Sequence, residues 1–458
     1  MRIWNAQQIA AGAEATLLSA GTAGGAGGSG EGDGPVRAVI DSREAGPGDL
    51  FVGLAGAAVD GGRFAPDALA NGAWGVLTTP EHAHAVPSRE GVVLSADDPL
   101  RALQRLARTW RRELGSDVIG VTGSTGKTST KDLLHAVLSP HRRTIASRGN
   151  FNTEIGLPLE ILGAPAGTEV LVLEMAMRGA GQIAELAWVA EPDVGVIVSI
   201  GPVHLEMLGS IEAIAAAKAE LIAGLAPGAT AVIPAGEPLL EPHLRDDLDV
   251  VTFGEGGDVT LLGADGPRVE IALGPERLEL EVPFTQAHLR RNLLAAVAAA
   301  RAIGVTPGGR VELELSPGRG QRAHLPDGVL LIDDCYNANP MSMRAALEDL
   351  AASASRDRHP RRVAVLGDML ELGPDERRFH EEIGAAAAEA EVDVLITVGP
   401  LAAAMTDRFD GEAYPVADAT EAAALLGELV EPGDAVLVKA SRGVGLEVVC
   451  RALEAGVA

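Results

Sequence analysis

Two rhythms of apolar and polar positions alternate along this chain of 458 residues. Short runs of Val, Ile and Leu closed by glycine or a polar residue predict buried strands, and apolar residues three and four apart predict helices. In the first quarter the runs at 36–40, 50–54 and 74–77 predict strands. A helix is predicted over 67–73, and a longer one over 101–114 that bridges to the second domain. Strands at 118–121, 170–175 and 194–200 then alternate with helices over 128–138, 211–225 and 287–303. The stretch 259–282 departs from this order and predicts short antiparallel strands. Ser316-Pro317-Gly318-Arg319-Gly320 predicts a hinge, after which strands at 329–332, 362–366, 392–398 and 435–439 again alternate with helices. Such alternation places the chain in the α/β class with mainly parallel sheets, in three domains over 1–114, 115–315 and 316–458. The Gly-rich stretch 20–34 carries neither period and predicts a flexible surface loop without chemistry.

Composition narrows the class. The length favours on the order of three domains. With 47% hydrophobic but only 3% aromatic residues, the cores must be built from Ala, Val, Leu and Ile. A net charge of −27 argues against nucleic acid or an anionic membrane as partner, so any anionic substrate must be held by local Lys and Arg. The opening M-R-I-W-N-A-Q-Q lacks the basic and apolar regions of a signal peptide, and no apolar run reaches the roughly 18 residues of a membrane span. Cys335 and Cys450, the only cysteines, fit unpaired thiols in a reducing compartment. A cytoplasmic protein is expected.

The chemistry centres on D-V-I-G-V-T-G-S-T-G-K-T-S-T-K, from Asp117 to Lys131. An apolar strand breaks into a glycine turn and opens into a helix, the context a phosphate-binding loop requires. Gly123 and Gly126 let successive N–H groups face phosphate oxygens. Lys127 supplies a cation, and the Thr128 hydroxyl suits a magnesium ion. The strict pattern places glycine where this chain has Val121, so the match is to the shorter T-G-x-x-G-K-T-S form.

Ligands of α/β sheets sit beyond the carboxyl ends of strands. Glu174 closes V-L-V-L-E there, and His204 follows V-I-V-S-I in G-P-V-H-L-E; with Thr128 they offer three ligands for one magnesium. Taken singly, each is better read as a solvated Glu or a structural His, and only their joint placement around a phosphate loop favours the ligand reading. Lys218, in A-A-A-K-A-E-L, is read from the residues alone as a solvent-facing helix lysine. Asp333, Asp334, Tyr336, Asn337 and Asn339 crowd one strand end in L-I-D-D-C-Y-N-A-N-P; capping and turn roles compete there with ligand binding. Asp368 and Glu371 stand in G-D-M-L-E-L-G. Lys439, Ser441 and Arg442 in V-K-A-S-R-G could offset substrate carboxylates. Arg319 sits in the hinge, from which a guanidinium can swing toward a nucleotide.

These motifs, with Asp41-Ser42-Arg43, P-G-D-L-F-V and G-N-F-N-T-E-I-G-L-P, resemble the Mur ligases of bacterial cell-wall synthesis over nearly the whole chain. Y-N-A-N-P and G-D-M-L-E-L-G point to the branch that adds a dipeptide. The resemblance implies a P-loop ATPase-like central domain and a Rossmann-like C-terminal domain. It implies an enzyme that uses ATP and Mg2+ to phosphorylate the terminal carboxylate of UDP-N-acetylmuramoyl-tripeptide, whose acyl phosphate the amine of D-alanyl-D-alanine attacks. It further implies that Gly123, Ser124, Thr125, Gly126, Lys127, Thr128 and Ser129 cradle ATP, with Asn292 at adenine and Arg319 and Asp334 on the nucleotide. Thr128, Glu174 and His204 are then expected at magnesium, and Lys218 as a carbamylated ligand of a second metal. Asn337 and Asn339 are expected at the dipeptide, Ser42 and Arg43 at the UDP end, and Ser441 and Arg442 at substrate carboxylates. Lys127, Lys218, His204 and Asn337 are the expected catalytic groups, and a monomer is expected.

Three other readings remain. A sister ligase adding one diamino acid typically shows D-N-P-R, which is absent here; a folate-type ligase normally lacks the D-S-R domain. A nucleotide switch that makes no bond would not need three metal ligands and an extra domain.

Overall fold

Parallel strands buried on both faces need a helix on each side, and the chain meets that need three times. The computed structural model describes every residue except 2, 22–33, 58, 87–90, 355–357 and 457–458; most of the stretch expected as a surface loop, 20–34, thus lies outside the described residues. Among the described residues there are three sheets.

The first has the spatial order Thr16–Ala20, Val92–Ser95, Gly75–Thr78, Asp49–Val52, Arg37–Val39, parallel except at the Thr16–Ala20 edge. The second begins with a parallel set around the phosphate-loop strand: Thr230–Pro234, Val194–Ile197, Asp117–Thr122, Val170–Glu174, Thr144–Ala146. It continues from Thr230–Pro234 through Asp249–Phe253 into the antiparallel strands Val259–Asp265, Arg268–Leu273 and Glu276–Glu281, and ends at Gly309–Arg310. The third runs Gln321–His324, Leu330–Asp333, Ala435–Lys439, Arg362–Gly367, Val394–Val398, Glu412–Val416, parallel after its first pair. Three domains of the α/β class with mainly parallel sheets are thus observed.

The helix Pro99–Leu114 bridges the first two sheets, as its pattern predicts. Asp98 caps it by accepting from the Arg101 amide at 2.9 Å, Pro99 opens it, and Gly115 ends it in the left-handed conformation. Its buried stripe, Leu103, Leu106, Ala107 and Trp110, has the 3–4 spacing that amphipathic packing requires. Trp110 stacks edge-on against Trp4, centroids 5.1 Å apart, and its indole N–H donates to the Ala164 carbonyl at 3.1 Å in the second domain. The guanidinium groups of Arg101 and Arg108 lie 3.5 and 4.4 Å over the Trp188 ring. Burial alone would raise the Glu191 carboxyl, but hydrogen bonds from Arg112 and Arg108 outweigh it and hold that group at about 2.

The strand expected over 194–200 stops at Ile197. The next residues leave the ladder because Ser199 bonds the phosphate loop: its carbonyl accepts from Ser124 N, and its hydroxyl from Thr125 N, both at 2.9 Å. No helix among the described residues is long and apolar enough to cross a membrane.

Candidate active site

The loop Gly123–Gly126 joins the strand Asp117–Thr122 to the helix Lys127–Leu138. Gly126 takes φ 78°, and a Cβ there would stand 2.8 Å from Oδ1 of Asn292, so only glycine fits the turn. Asn292, expected at adenine, thus lies buried against the loop on the helix Ala287–Ala302. The Ser124 hydroxyl donates to the Gly201 carbonyl at 3.0 Å and is buried, so this residue shapes the loop and contributes its backbone rather than its side chain. The Lys127 ammonium folds back onto the Gly123 carbonyl at 2.6 Å. Burial depresses its pKa, the Glu174 carboxylate opposes that, and Arg319 adds to it; both charges therefore share the loop's surroundings.

Glu174 is 3% exposed at its strand end. Its Oε1 accepts from the Asn152 amide at 2.9 Å, whereas Oε2 is buried without a partner. A carboxylate oxygen in that state is costly unless a cation supplies the missing interaction. Thr128, also buried, opens the same helix as Lys127. His204 sits in the left-handed region (φ 54°), and its Nδ1 meets the Glu371 carboxylate of the third domain. A carboxylate only accepts, so Nδ1 is the donor in this pair and Nε2 is left without a partner among the described residues. Burial chiefly lowers the imidazole pKa; Glu371 raises it, and Lys127 and Lys218 lower it further, placing both lysines nearby. The orphaned Glu174 oxygen beside the phosphate loop fits a hard cation such as magnesium, and both Glu174 and His204 lie within the electrostatic reach of Lys127.

Lys218 corrects the expectation drawn from the residues alone. It is 2% exposed, and its ammonium makes no hydrogen bond or ion pair with the described residues. Burial, reinforced by Lys127, pushes its pKa well below the ordinary lysine value, which favours the uncharged amine over the ammonium.

Across the cleft, the strand end 333–339 is arranged by its own contacts. Asp334 Oδ2 accepts from Lys439 Nζ at 2.6 Å, and the same ammonium donates to the Asn337 carbonyl at 3.0 Å. Lys439 is 2% exposed, and its ammonium organises this loop. The Asn337 side chain accepts from Ala338 N at 2.9 Å. Asn339 caps the helix Pro340–Ser353, its Oδ1 accepting from Ser342 N at 2.9 Å, which realises the capping role weighed from sequence. The Ser441 hydroxyl, also expected at substrate, is buried: it accepts from Leu370 N at 3.0 Å and donates to Ala338 O at 3.4 Å. It ties two loops together instead. Asp368 likewise accepts from the amides of Leu401 and Ala402. Arg319 and Arg442 flank one Tyr336 ring at 4.1 and 5.0 Å, so the hinge guanidinium is held at this loop.

Ser42 and Arg43 follow the strand Arg37–Val39 at the edge of the first sheet. Arg43 is exposed and forks onto Asp41, and the Ser42 carbonyl accepts from Asn71. Between the first sheet and the phosphate-loop helix lies a cavity of about 1300 Å3, lined by Arg37, Ile40, Glu44, Lys131, His135, Arg148 and Asn150 among others. The roles of Asn152, Ser199 and Glu371 were not assigned from sequence. For Asn152 the motif G-N-F-N-T-E-I-G was the only signal.

Family models match three successive stretches: "Mur ligase family, catalytic domain" over 38–111, "Mur ligase middle domain" over 121–300 and "Mur ligase, glutamate ligase domain" over 318–442. The chain is 36% identical to the UDP-N-acetylmuramoyl-tripeptide–D-alanyl-D-alanine ligase of Bacillus subtilis, covering 90% of this chain and 92% of that one. It is 31% identical to the enzyme of the same name from Escherichia coli, covering 90% and 92%. Among solved structures, MurF from Acinetobacter baumannii superposes with a TM-score of 0.85 at 28% identity over 99% of both chains. MurF ligase from Thermotoga maritima in complex with ADP gives 0.79 at 33% identity, covering 92% of this chain and 97% of that one. The chain belongs to the Mur ligase family, on the branch whose curated relatives carry the D-alanyl-D-alanine ligase name.

Proposed function

We propose that this chain joins D-alanyl-D-alanine to UDP-N-acetylmuramoyl-tripeptide at the expense of ATP, giving the pentapeptide nucleotide, ADP and phosphate in peptidoglycan precursor synthesis. The observation that carries the reading is the phosphate loop opening onto two unpartnered buried groups, Glu174 Oε2 and the Lys218 amine, at the cleft with the third domain. The relatives' shared name supports the choice of substrates.

A carboxylate is a poor electrophile, and ATP and substrate are both anions. Transfer of the γ-phosphoryl group to the tripeptide carboxylate gives an acyl phosphate and ADP. The dipeptide amine then adds to that carbonyl, and collapse of the tetrahedral species expels phosphate and leaves the amide. The loop amides and Lys127 neutralise charge on the moving phosphoryl group, joined by Arg319 as the domains close. Magnesium, held by Thr128, Glu174 and His204, would screen the same oxygens when bound. The neutral Lys218 amine is suited to add to carbon dioxide, losing one proton and becoming a carbamate with two oxygens for a second metal ion. In this reading Asn292 serves the base of the nucleotide and Asp334 its ribose and phosphates, while Asn337 and the amide of Asn339 receive the dipeptide and Arg442 its carboxylate. Ser42 and Arg43 hold the UDP end, 1–114 serving as that arm, 115–315 as the ATP domain and 316–458 as the dipeptide domain. The reaction belongs to a monomer in the cytoplasm, where its nucleotide substrates are made.

The test is phosphate release from ATP with magnesium and UDP-N-acetylmuramoyl-tripeptide, with and without D-alanyl-D-alanine. Release only with both supports the reading. Turnover only with the dipeptide nucleotide and a diamino acid would move the chain to the sister reaction.

A further inference from the structure

The two cysteines lie together in the third domain, at a place the ligase reading does not use. Cys335 follows the strand Leu330–Asp333, and Cys450 sits on the helix Glu447–Glu454. With the Asp333 carboxylate they bring two sulfurs and one oxygen within 4.8 Å of one another. Cys335 is 1% and Cys450 4% exposed, both packed into an apolar layer with Leu331, Val438 and Val449. A lone buried cysteine is usually just a small hydrophobe. Here a carboxylate accompanies two thiols in an apolar layer, and the Cys335 amide donates to Asp333 Oδ1 at 3.2 Å, fixing that carboxylate beside the sulfurs. The Cys450 thiol is pushed up strongly by Cys335, by burial and by Asp333, so it rests protonated against its neighbours.

Around a tetrahedral zinc ion, with bonds of about 2.3 Å to sulfur and about 2.0–2.2 Å to oxygen, neighbouring donors stand roughly 3.5 Å apart. The trio, with its donor atoms within 4.8 Å of one another, stands close to that spacing. Thiolates select thiophilic ions over magnesium, which prefers oxygen donors. Asp333, though neither cysteine, also lines a cavity of about 720 Å3 with Pro317, Gly318 and Gln321, so the carboxylate is the side of the trio that solvent reaches.

We propose that Asp333, Cys335 and Cys450 form a binding site for a thiophilic divalent cation of the zinc class, distinct from the magnesium ligands at the phosphate loop. Binding replaces two S–H bonds by two metal–sulfur bonds and releases two protons to solvent. An ion there clamps the last helix to the strand end that carries Asp334 and Tyr336.

The experiment titrates the full chain with cadmium as spectroscopic probe, in a phosphine reductant and excess magnesium, following thiolate-to-metal charge-transfer absorption. The expected result is saturation at one cadmium per chain with the intensity of two thiolates, reversed by zinc and untouched by magnesium. Cys450→Ser should halve the intensity and weaken binding tenfold or more. Asp333→Asn should weaken binding while keeping both thiolates. Because a core variant can fail to fold, the unaltered chain is also alkylated with iodoacetamide, and zinc should slow modification of both thiols at least tenfold. Absence of the absorption, undiminished intensity in folded Cys450→Ser, or alkylation indifferent to zinc would each overturn the proposal.

Discussion

His204 of the central domain is hydrogen-bonded through Nδ1 to the Glu371 carboxylate of the third domain. Both residues adopt left-handed backbone, φ 54° and 63°, so each domain presents its partner from a constrained turn. With Nδ1 engaged by Glu371, Nε2 is the ring nitrogen left for the proposed magnesium, so that site would depend on how the two domains meet. Glu371→Gln should therefore lower kcat/KM about 10–100-fold and raise the magnesium requirement. Thermal unfolding should stay nearly unchanged, because the pair is partly solvent-exposed. Unaltered magnesium dependence would remove Glu371 from the site.

Lys218 separates function from stability. A buried amine without a partner is unfavourable, so Lys218→Met should leave stability equal or increase it by about 1–2 kcal/mol while abolishing ligation. Denaturant unfolding and phosphate release on one preparation check both halves. In Lys218→Ala, a short-chain carboxylic acid should restore part of the activity by standing in for the carbamate. Full activity of either variant would sink the carbamate.

Gly126 has no tolerance for a side chain, being at φ 78° with Asn292 Oδ1 in the way. Gly126→Ala should cost about 1–3 kcal/mol of stability and weaken ATP binding at least tenfold, measured by calorimetry. The loop strain and the Asn292 displacement act together there.

Glu191 reports the docking of the bridging helix. Its folded-state value of about 2 lies below the usual carboxylate value near 4.3, so its contribution is complete above that usual value and disappears as pH falls toward 2. Glu191→Gln should be less stable than the parent at pH 7, and the difference should shrink between about pH 4.3 and 2 in urea titrations. A gap that stays constant across that window would contradict the charge-assisted account of Arg108 and Arg112.

The phosphate loop, the Glu174 and His204 strand ends and the three-part α/β order were all legible because each rests on local pattern: an apolar run, a glycine turn, a capped helix. The burial of Lys218 was not. Its helix, Ile211–Ala223, is so rich in alanine that its small side chains show little contrast between faces, and only packing against the sheet decides which side is inward. Glu371 was equally hidden, since its partner lies 167 residues away in another domain. Asn339 and Ser441 show why polar residues at a strand end are ambiguous in sequence: local backbone groups bond the Asn339 oxygen and the Ser441 hydroxyl, a use that the residue types alone do not separate from ligand binding. The strands Thr230–Pro234 and Asp249–Phe253 escaped notice because short apolar runs bordered by proline or acidic residues carry a weak strand signal.

The central claim is that the tripeptide carboxylate is activated as an acyl phosphate. UDP-N-acetylmuramoyl-tripeptide labelled with oxygen-18 in its terminal carboxylate, turned over with ATP and D-alanyl-D-alanine, tests it directly. The expected result is one labelled oxygen in each phosphate released, in step with pentapeptide formed. Phosphate carrying no label, or released without the peptide product, would contradict the claim.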